Sequence, residues 1–338
     1  MPSNHFYTGS TMTTKQSTRL RPGVRALDRL MKSMPSMSVA RMTPEQLEKV
    51  QTTVIPDGGV AGLFLGRLRK GVTVRTDSFT ARGGDLPLRI YTPDAWSRTP
   101  RPVVLNIHGG GFVLGSARQC DWICSTVAAD LDAVVVSVDY RLAPAHKFPA
   151  AVEDSYDALL WTAAHAADLG GDPARLGVLG DSAGGNLAAV VSILARDEHG
   201  PAVAHQALVY PATDMTDTSR EDESFLGNVL GIVLSNDDIE VFRDHYLSEE
   251  VDRTDFRLSP ILAPDLSGLP PAVVVVAGLD PLHDSGVRYA QALADAGNEV
   301  TVEDFHQMPH GFLSFPYFSH AARPAMAAIV ASQRAALY

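Results

Sequence analysis

Four short stretches of this 338-residue chain bring together groups that could do chemistry. "GVLGDSAGGNLA" contains G-x-S-x-G as Gly180, Asp181, Ser182, Ala183 and Gly184, with an apolar run before it and an alanine-rich stretch after it. A serine on so sharp a strand-to-helix turn stands clear at a helix N-terminus, where amide donors and the dipole favour negative charge. Ser182 is therefore a candidate nucleophile. A serine hydroxyl needs a base, and the base needs an orienting carboxylate. Past the run "PAVVVVAG", the segment "LDPLHD" offers Asp280, with Asp284, read as a helix cap, as its rival four residues on. Past "VTVEDF", the segment "HQMPHGF" offers His310, with His306 four residues back. The order Ser, acid, His suits nucleophilic acyl transfer, and position alone leaves both pairs open.

The fourth stretch is "NIHGGGFVLG", Asn106 to Gly115. Three consecutive glycines are conformationally costly, and here they free backbone N–H groups to approach a tetrahedral oxyanion, with the amide of Ala183 as a further donor. A dinucleotide site is the competing reading, since Gly109, Gly111 and Gly115 follow a strand and Asp139 ends the next one. The spacing, however, is G-x-G-x-x-x-G, and that reading leaves Ser182, Asp280 and His310 unused. His108 precedes the nucleophile strand and reads as a hydrogen-bonding partner that orders the loop.

These residues need a scaffold. "VTVRTDSF" and "LPLRIYTP" alternate and are expected to form a pair of antiparallel edge strands. "PVVLNI", "AVVVSVDY", "RLGVLGDS", "HQALVYP", "PAVVVVAG" and "VTVEDF" are near-continuous β-branched runs. Amphipathic stretches such as "AAVEDSYDALLWTAAHAA", "AGGNLAAVVSILARDE" and "SGVRYAQALADAG" separate most of them. The pattern predicts an α/β fold with a mostly parallel sheet of about eight strands covered by helices on both faces. Ligands then bind beyond the carboxyl ends of the strands, where the four stretches lie. Residues 1–20 are polar and expected to be disordered, and residues 21–70 form a helical segment. Within that segment Leu27, Leu30, Met31 and Met34 share one apolar face from Val24 on, and Thr43 with Pro44 marks a helix start. Residues 71–338 form the catalytic domain, interrupted at 211–260 by an acidic helical insertion over the end of the sheet.

Composition excludes several classes. With 28 basic and 39 acidic side chains the formal net charge is −11, which disfavours a nucleic-acid or anionic-membrane surface. The two cysteines, Cys120 and Cys124, build no disulfide framework. A helix would put both on one face, yet no second pair accompanies them to complete a zinc site. No run reaches the ~20 apolar residues of a membrane span, so no membrane insertion is expected, and the N-terminal residues show no targeting signal. The expected setting is cytoplasmic, and a homodimer is compatible with the sequence.

"HGGGF", "YRLAPAHKFPAAVED", "GDSAGGNLA", "DPLHD" and "HGF", in this order, resemble the hormone-sensitive-lipase-like family of α/β-hydrolases, the bacterial family IV carboxylesterases. The resemblance runs from about Val72 to the C-terminus. It implies Ser182 as nucleophile, Asp280 as acid, His310 as base, and Gly110, Gly111 and Ala183 as oxyanion donors. It further implies hydrolysis of short- to medium-chain acyl esters without cofactor or metal, and a cap built from the 21–70 helices and the insertion. The chain departs from the family at four positions. Ala145 stands for a usual Glu, Lys147 for a Pro, His283 for an Arg and Ser285 for a Glu, which bears on loop ion pairs rather than on the triad. An amidase or carbohydrate deacetylase of the same fold, or a non-catalytic ligand-binding relative, are the alternatives. The intact His310 speaks against the last.

Overall fold

The computed structural model describes residues 20–33, 38–54, 61–228 and 230–338. The expected disordered segment, Leu20 apart, lies outside the described residues, as do Met34 and Met37. Eight strands pair into one sheet: β1 Val72–Ala81, β2 Gly84–Pro93, β3 Arg101–Ile107, β4 Val134–Val138, β5 Gly171–Asp181, β6 Val203–Val209, β7 Ala272–Leu279 and β8 Val300–Pro309. Their order is β1-β2-β4-β3-β5-β6-β7-β8. From β4 across to β8 every pairing is parallel, while β1 and β2 form an antiparallel hairpin. Only β1 of that pair is an edge. β2 also pairs antiparallel with β4, from Leu88 opposite Val138 to Tyr91 opposite Val135. The expectation of two edge strands is corrected accordingly, because alternation in β2 reflects a partly covered face and says nothing about how many neighbours a strand has.

The pleat divides the core. Val103, Leu105 and Ile107 of β3 face one side with Val134, Val136 and Val138 of β4, whereas Val104 and Val135 face the other. Both sides need cover, which is why these strands read as continuous apolar runs. Ten helices are described: α1 Pro22–Ser33, α2 Pro44–Thr52, α3 Ala61–Phe64, α4 Asp121–Leu131, α5 Ala150–His165, α6 Ala183–Asp197, α7 Glu223–Leu226, α8 Asn236–Tyr246, α9 His283–Asp295 and α10 Ala322–Leu337. α5, α6 and α9 cover the first face, and α4 and α10 the second.

The described part of the N-terminal segment consists of separate helices, with a start at Pro44 as expected. α1 buries Val24 and Leu27, and a single 3₁₀ turn spans Val39–Arg41. Extended backbone at Met42 (φ −82°, ψ 139°) leads to the start of α2. There Thr43 accepts from the Gln46 N–H at 3.3 Å while the Gln46 side chain accepts from the Thr43 N–H at 2.9 Å, so the helix start read at Thr43 is a reciprocal capping box. The interval between β6 and β7 carries α7 and α8, as the loss of strand–helix alternation after Pro211 suggested. Among the described residues, no helix is long and apolar enough to cross a membrane.

Candidate active site

Ser182 sits between the end of β5 and the start of α6 with φ 56° and ψ −118°, a conformation few non-glycine residues adopt. Its neighbours allow it. A side chain on Gly180 would run into the Gly184 carbonyl, and one on Gly184 into the Ile107 carbonyl. The turn is held by the Ser182 N–H, which donates to the Val209 carbonyl at 2.8 Å. Such backbone strain persists only where the surroundings over-determine it, and it leaves the hydroxyl raised toward the cavity above the sheet.

Asp280 follows the last residue of β7 and His310 the last residue of β8, so both stand at carboxyl ends of strands beside Ser182. His310 Nε2 lies 2.9 Å from Ser182 Oγ, and its Nδ1 lies 2.7 Å from Asp280 Oδ2. Asp280 Oδ1 accepts the Leu282 N–H at 2.8 Å, which fixes the carboxylate's plane. Asp280 and His310 are buried, so the chain of hydrogen bonds runs in a low dielectric, where a positive charge on the imidazole would have a close counter-charge. The Tyr210 ring lies across the imidazole at 4.8 Å between centroids.

The rivals occupy other places. Asp284 does not cap its own helix, whose N-cap side makes no side-chain bond. Its carboxylate instead accepts the Ser224 N–H of α7 at 2.9 Å, and Ser224 Oγ in turn accepts the Asp284 N–H at 3.2 Å. The reading of Asp284 as a cap is corrected to that extent: it serves the first turn of α7. His306 is exposed and pairs with Asp304 at 3.2 Å.

The glycine loop faces Ser182 from β3. Gly110 has φ 123°, and a side chain there would strike the Leu114 carbonyl. Gly111 has φ 62°. No acceptor among the described residues takes the N–H of either glycine, and both line one cavity with Ser182 and Ala183. Preorganised donors converging beside a nucleophile suit a developing oxyanion. Gly109, by contrast, donates its N–H to buried Asp181 Oδ1 at 2.9 Å, tying the loop to the serine turn. Burial raises the Asp181 pKa against the pull of that hydrogen bond. His108 is buried, stacks on Tyr140 at 4.2 Å and places Nδ1 2.8 Å from the Gly109 carbonyl. Burial holds its pKa below the usual value, and through Gly109 it orders the loop, as the sequence suggested.

Several contributors gave little signal in sequence. Gln119 donates to the Gly109 carbonyl at 2.9 Å. Gln51, in the last turn of α2, donates to the carbonyls of Val113 at 2.7 Å and Ala143 at 2.8 Å, so the N-terminal segment grips the glycine loop from outside. Lone glutamines on polar helices carry no motif. Lys147, one of the departures, donates to the Leu247 carbonyl at 2.7 Å and the Asp244 carbonyl at 3.2 Å, closing the C-terminal end of α8. Ala145 is exposed, and the buried Ser285 hydroxyl donates to the Leu282 carbonyl at 3.1 Å.

The cavity over Ser182 holds about 270 Å³. Its wall is mostly apolar and comes chiefly from the insertion, with Met215, Val233, Leu234, Ile239, Phe242 and Leu247. From the described part of 20–70 only Leu65 reaches it, and Met31 lines a different cavity beside α1. Cys120 and Cys124 are buried free thiols, and burial pushes both pKa values up. Among the described residues no cluster of three or more His, Cys, Asp or Glu side chains is set to hold a metal.

A family model described as alpha/beta hydrolase fold matches residues 104–314. The carboxylesterase NlhH of Mycobacterium tuberculosis is 43% identical over 79% of this chain and 82% of its own length. The chain belongs to the hormone-sensitive-lipase-like branch of the α/β-hydrolase family. Another relative, the carboxylic ester hydrolase LipN of the same organism, is 46% identical over 72% of this chain, a match that spans 65% of LipN. Among solved structures, the Pyrobaculum calidifontis esterase superposes on this α/β-hydrolase with a TM-score of 0.81 at 38% identity, covering 95% of this chain and all of its own. A metagenomic ester hydrolase from Lake Arreo, solved with a bipyridine phosphonate derivative, gives 0.84 at 34% identity, covering 94% of this chain and 98% of its own.

Proposed function

We propose that this chain is a serine carboxylesterase in which Ser182 is the nucleophile, His310 the base and Asp280 the orienting acid. The observation that carries the reading is the unbroken hydrogen-bond chain from Ser182 Oγ through His310 to Asp280, at 2.9 and 2.7 Å, on the floor of a mostly apolar cavity. His310 Nε2 takes the hydroxyl proton as Ser182 Oγ bonds to the ester carbonyl carbon. The N–H groups of Gly110, Gly111 and Ala183 receive the oxyanion. As the tetrahedral species collapses, His310 returns its proton to the departing alkoxide and an acyl-enzyme remains. Water, deprotonated by His310, then attacks the acyl carbon, and the proton returns to Ser182 as the acid leaves. Asp280 holds the Nδ1–H tautomer throughout and offsets the imidazolium charge.

Within this reading the 211–260 insertion, joined by Leu65, is the cap over the acyl site. Each further methylene buried against it adds up to ~0.8 kcal/mol, or about fourfold in kcat/KM, until the cavity is filled. A cavity of about 270 Å³ suits short- to medium-chain acyl groups. A panel of p-nitrophenyl esters from acetate to laurate tests this: kcat/KM should rise over the first few methylenes and then fall. Ser182→Ala and His310→Ala should each lower kcat by roughly 10⁴–10⁶ in a protein with unchanged circular dichroism, since triad members act as a unit. Failure to hydrolyse any member of the panel would overturn the proposal.

A further inference from the structure

The glycine loop holds three successive residues in the left-handed region: Gly110 at φ 123°, Gly111 at 62° and Phe112 at 64°. Phe112 carries a side chain, so the run is strained and persists only where its surroundings over-determine it. Gly110 is tied within its own loop, since its carbonyl accepts the N–H groups of Val113 at 3.1 Å and Leu114 at 2.8 Å. The Phe112 carbonyl accepts the Ala143 N–H at 3.0 Å. Gly111, between them, makes no hydrogen bond through its N–H or its carbonyl among the described residues. What bears on Gly111 is α8 of the insertion. A side chain on this glycine would run into the Phe242 ring, so that ring lies directly against it. One turn on, the Tyr246 ring stacks on Phe112 at 4.0 Å between centroids and 4° between planes. Four residues apart, the two rings share one face of the helix. α8 is itself pinned at both ends. Near its start Asp238 accepts the Ser38 hydroxyl at 2.6 Å and the Ala40 N–H at 3.1 Å. At its end the Tyr246 carbonyl accepts the Phe148 N–H at 2.9 Å.

A residue that only walled the acyl site would need to face the cavity and nothing else. Phe242 lines the cavity, and it also backs the glycine whose N–H meets the oxyanion in the esterase reading. An oxyanion donor works by standing in place before charge develops, and small displacements of it are costly to the rate. We propose that Phe242 is a positioning residue for the oxyanion site. Its ring holds Gly111 in the conformation that aims the N–H, so the insertion acts on the chemical step as well as on acyl binding.

This role rests on the esterase reading, and its test keeps the two apart. kcat and KM are measured for p-nitrophenyl acetate, butyrate and hexanoate with the wild type, Phe242→Ala and Phe242→Val, each checked by thermal melt. Phe242→Ala should lower kcat by about tenfold to a hundredfold, part of the roughly 10²–10³ lost with a whole oxyanion donor. The factor should be similar for all three esters. A mere wall residue would instead show in KM, by a factor that grows with the acyl chain. A trifluoromethyl ketone gives a second readout. Its carbonyl carbon bonds to Ser182 Oγ, the hydroxyl proton passes to His310, and the ketone oxygen is left as an oxyanion. The Ki of this ketone should rise in Phe242→Ala by the factor by which kcat/KM falls. Phe242→Val also removes the ring and should lose at least about fivefold in kcat, so it reports even if the alanine variant does not fold. Unchanged kcat for the acetate in the folded variant, a loss that grows with chain length, or an unchanged Ki would overturn the positioning role. No hydrolysis of any ester by the wild type would overturn the esterase reading beneath it.

Discussion

Ser182 was legible because its motif sits between an apolar run and a helical stretch, a context that fixes what a serine in G-x-S-x-G can do. Its partners were not separable by spacing. Asp280 and Asp284 are four residues apart in one segment, and only the end of β7 at Leu279 decides between them. Asp280 falls in the turn facing His310, while Asp284 falls in the first turn of α9 and faces Ser224. The part of the cavity wall that α8 supplies was illegible for a related reason: "NDDIEVFRDHYL" reads as a charged surface helix, and nothing local says that Ile239 and Phe242 line a cavity. The two aspartates separate experimentally. Asp280→Asn should cost on the order of 10⁴ in kcat, by presenting His310 with the wrong hydrogen-bonding partner. Asp284→Asn should cost no more than about tenfold, with a stability loss of about 1 kcal/mol from a weakened first turn of α7. Initial rates and thermal melts of both variants check this, and the reverse ranking of activities would assign the acid to Asp284.

The elements divide by how much of their surroundings a sequence encodes. β3, β4 and β7 are buried on both faces, so their β-branched runs could be read directly. The helix start at Thr43 was equally local. The start of α2 was marked in the same way by Pro44, whereas its end at Thr52, where Thr53 turns extended, carried no such signal. Nor did residue types show that His283, in place of a usual Arg, would join elements. Its Nε2 lies 3.1 Å from Asp304 of β8 and its Nδ1 2.8 Å from Asp284, which holds α7 through Ser224. Those carboxylates, Asp304 foremost and against the opposing effect of burial, raise its pKa from 6.5 to about 9. A folded-state pKa above the unfolded one contributes stability that is complete below pH 6.5 and is lost as pH rises through about 9. The melting temperature of the wild type should therefore exceed that of His283→Gln at pH 6, and the gap should narrow toward pH 9.5. A gap that stays constant over this range would show that the imidazolium pair does not link these elements.

At the scale of the whole molecule, the alternation of strands and helices was enough to predict that separate motifs would meet at one end of a parallel sheet. β3, β5, β7 and β8 do deliver the glycine loop, Ser182, Asp280 and His310 to the same end. What covers them was less legible. The N-terminal segment was expected to share the cap with the insertion, and its described residues contribute Leu65 to the cavity and Gln51 to the loop behind it. Most of the apolar wall comes from 211–260, where irregular backbone and short helices obey no simple period. Covalent trapping addresses the proposed nucleophile most directly. An alkyl phosphonate p-nitrophenyl ester, followed by intact mass measurement and peptide mapping, should leave one phosphonyl group per chain, on Ser182, with matching release of p-nitrophenolate and no adduct in Ser182→Ala. A phosphonyl group on another residue, or equal labelling of the Ser182→Ala protein, would contradict the assignment of Ser182 as the nucleophile.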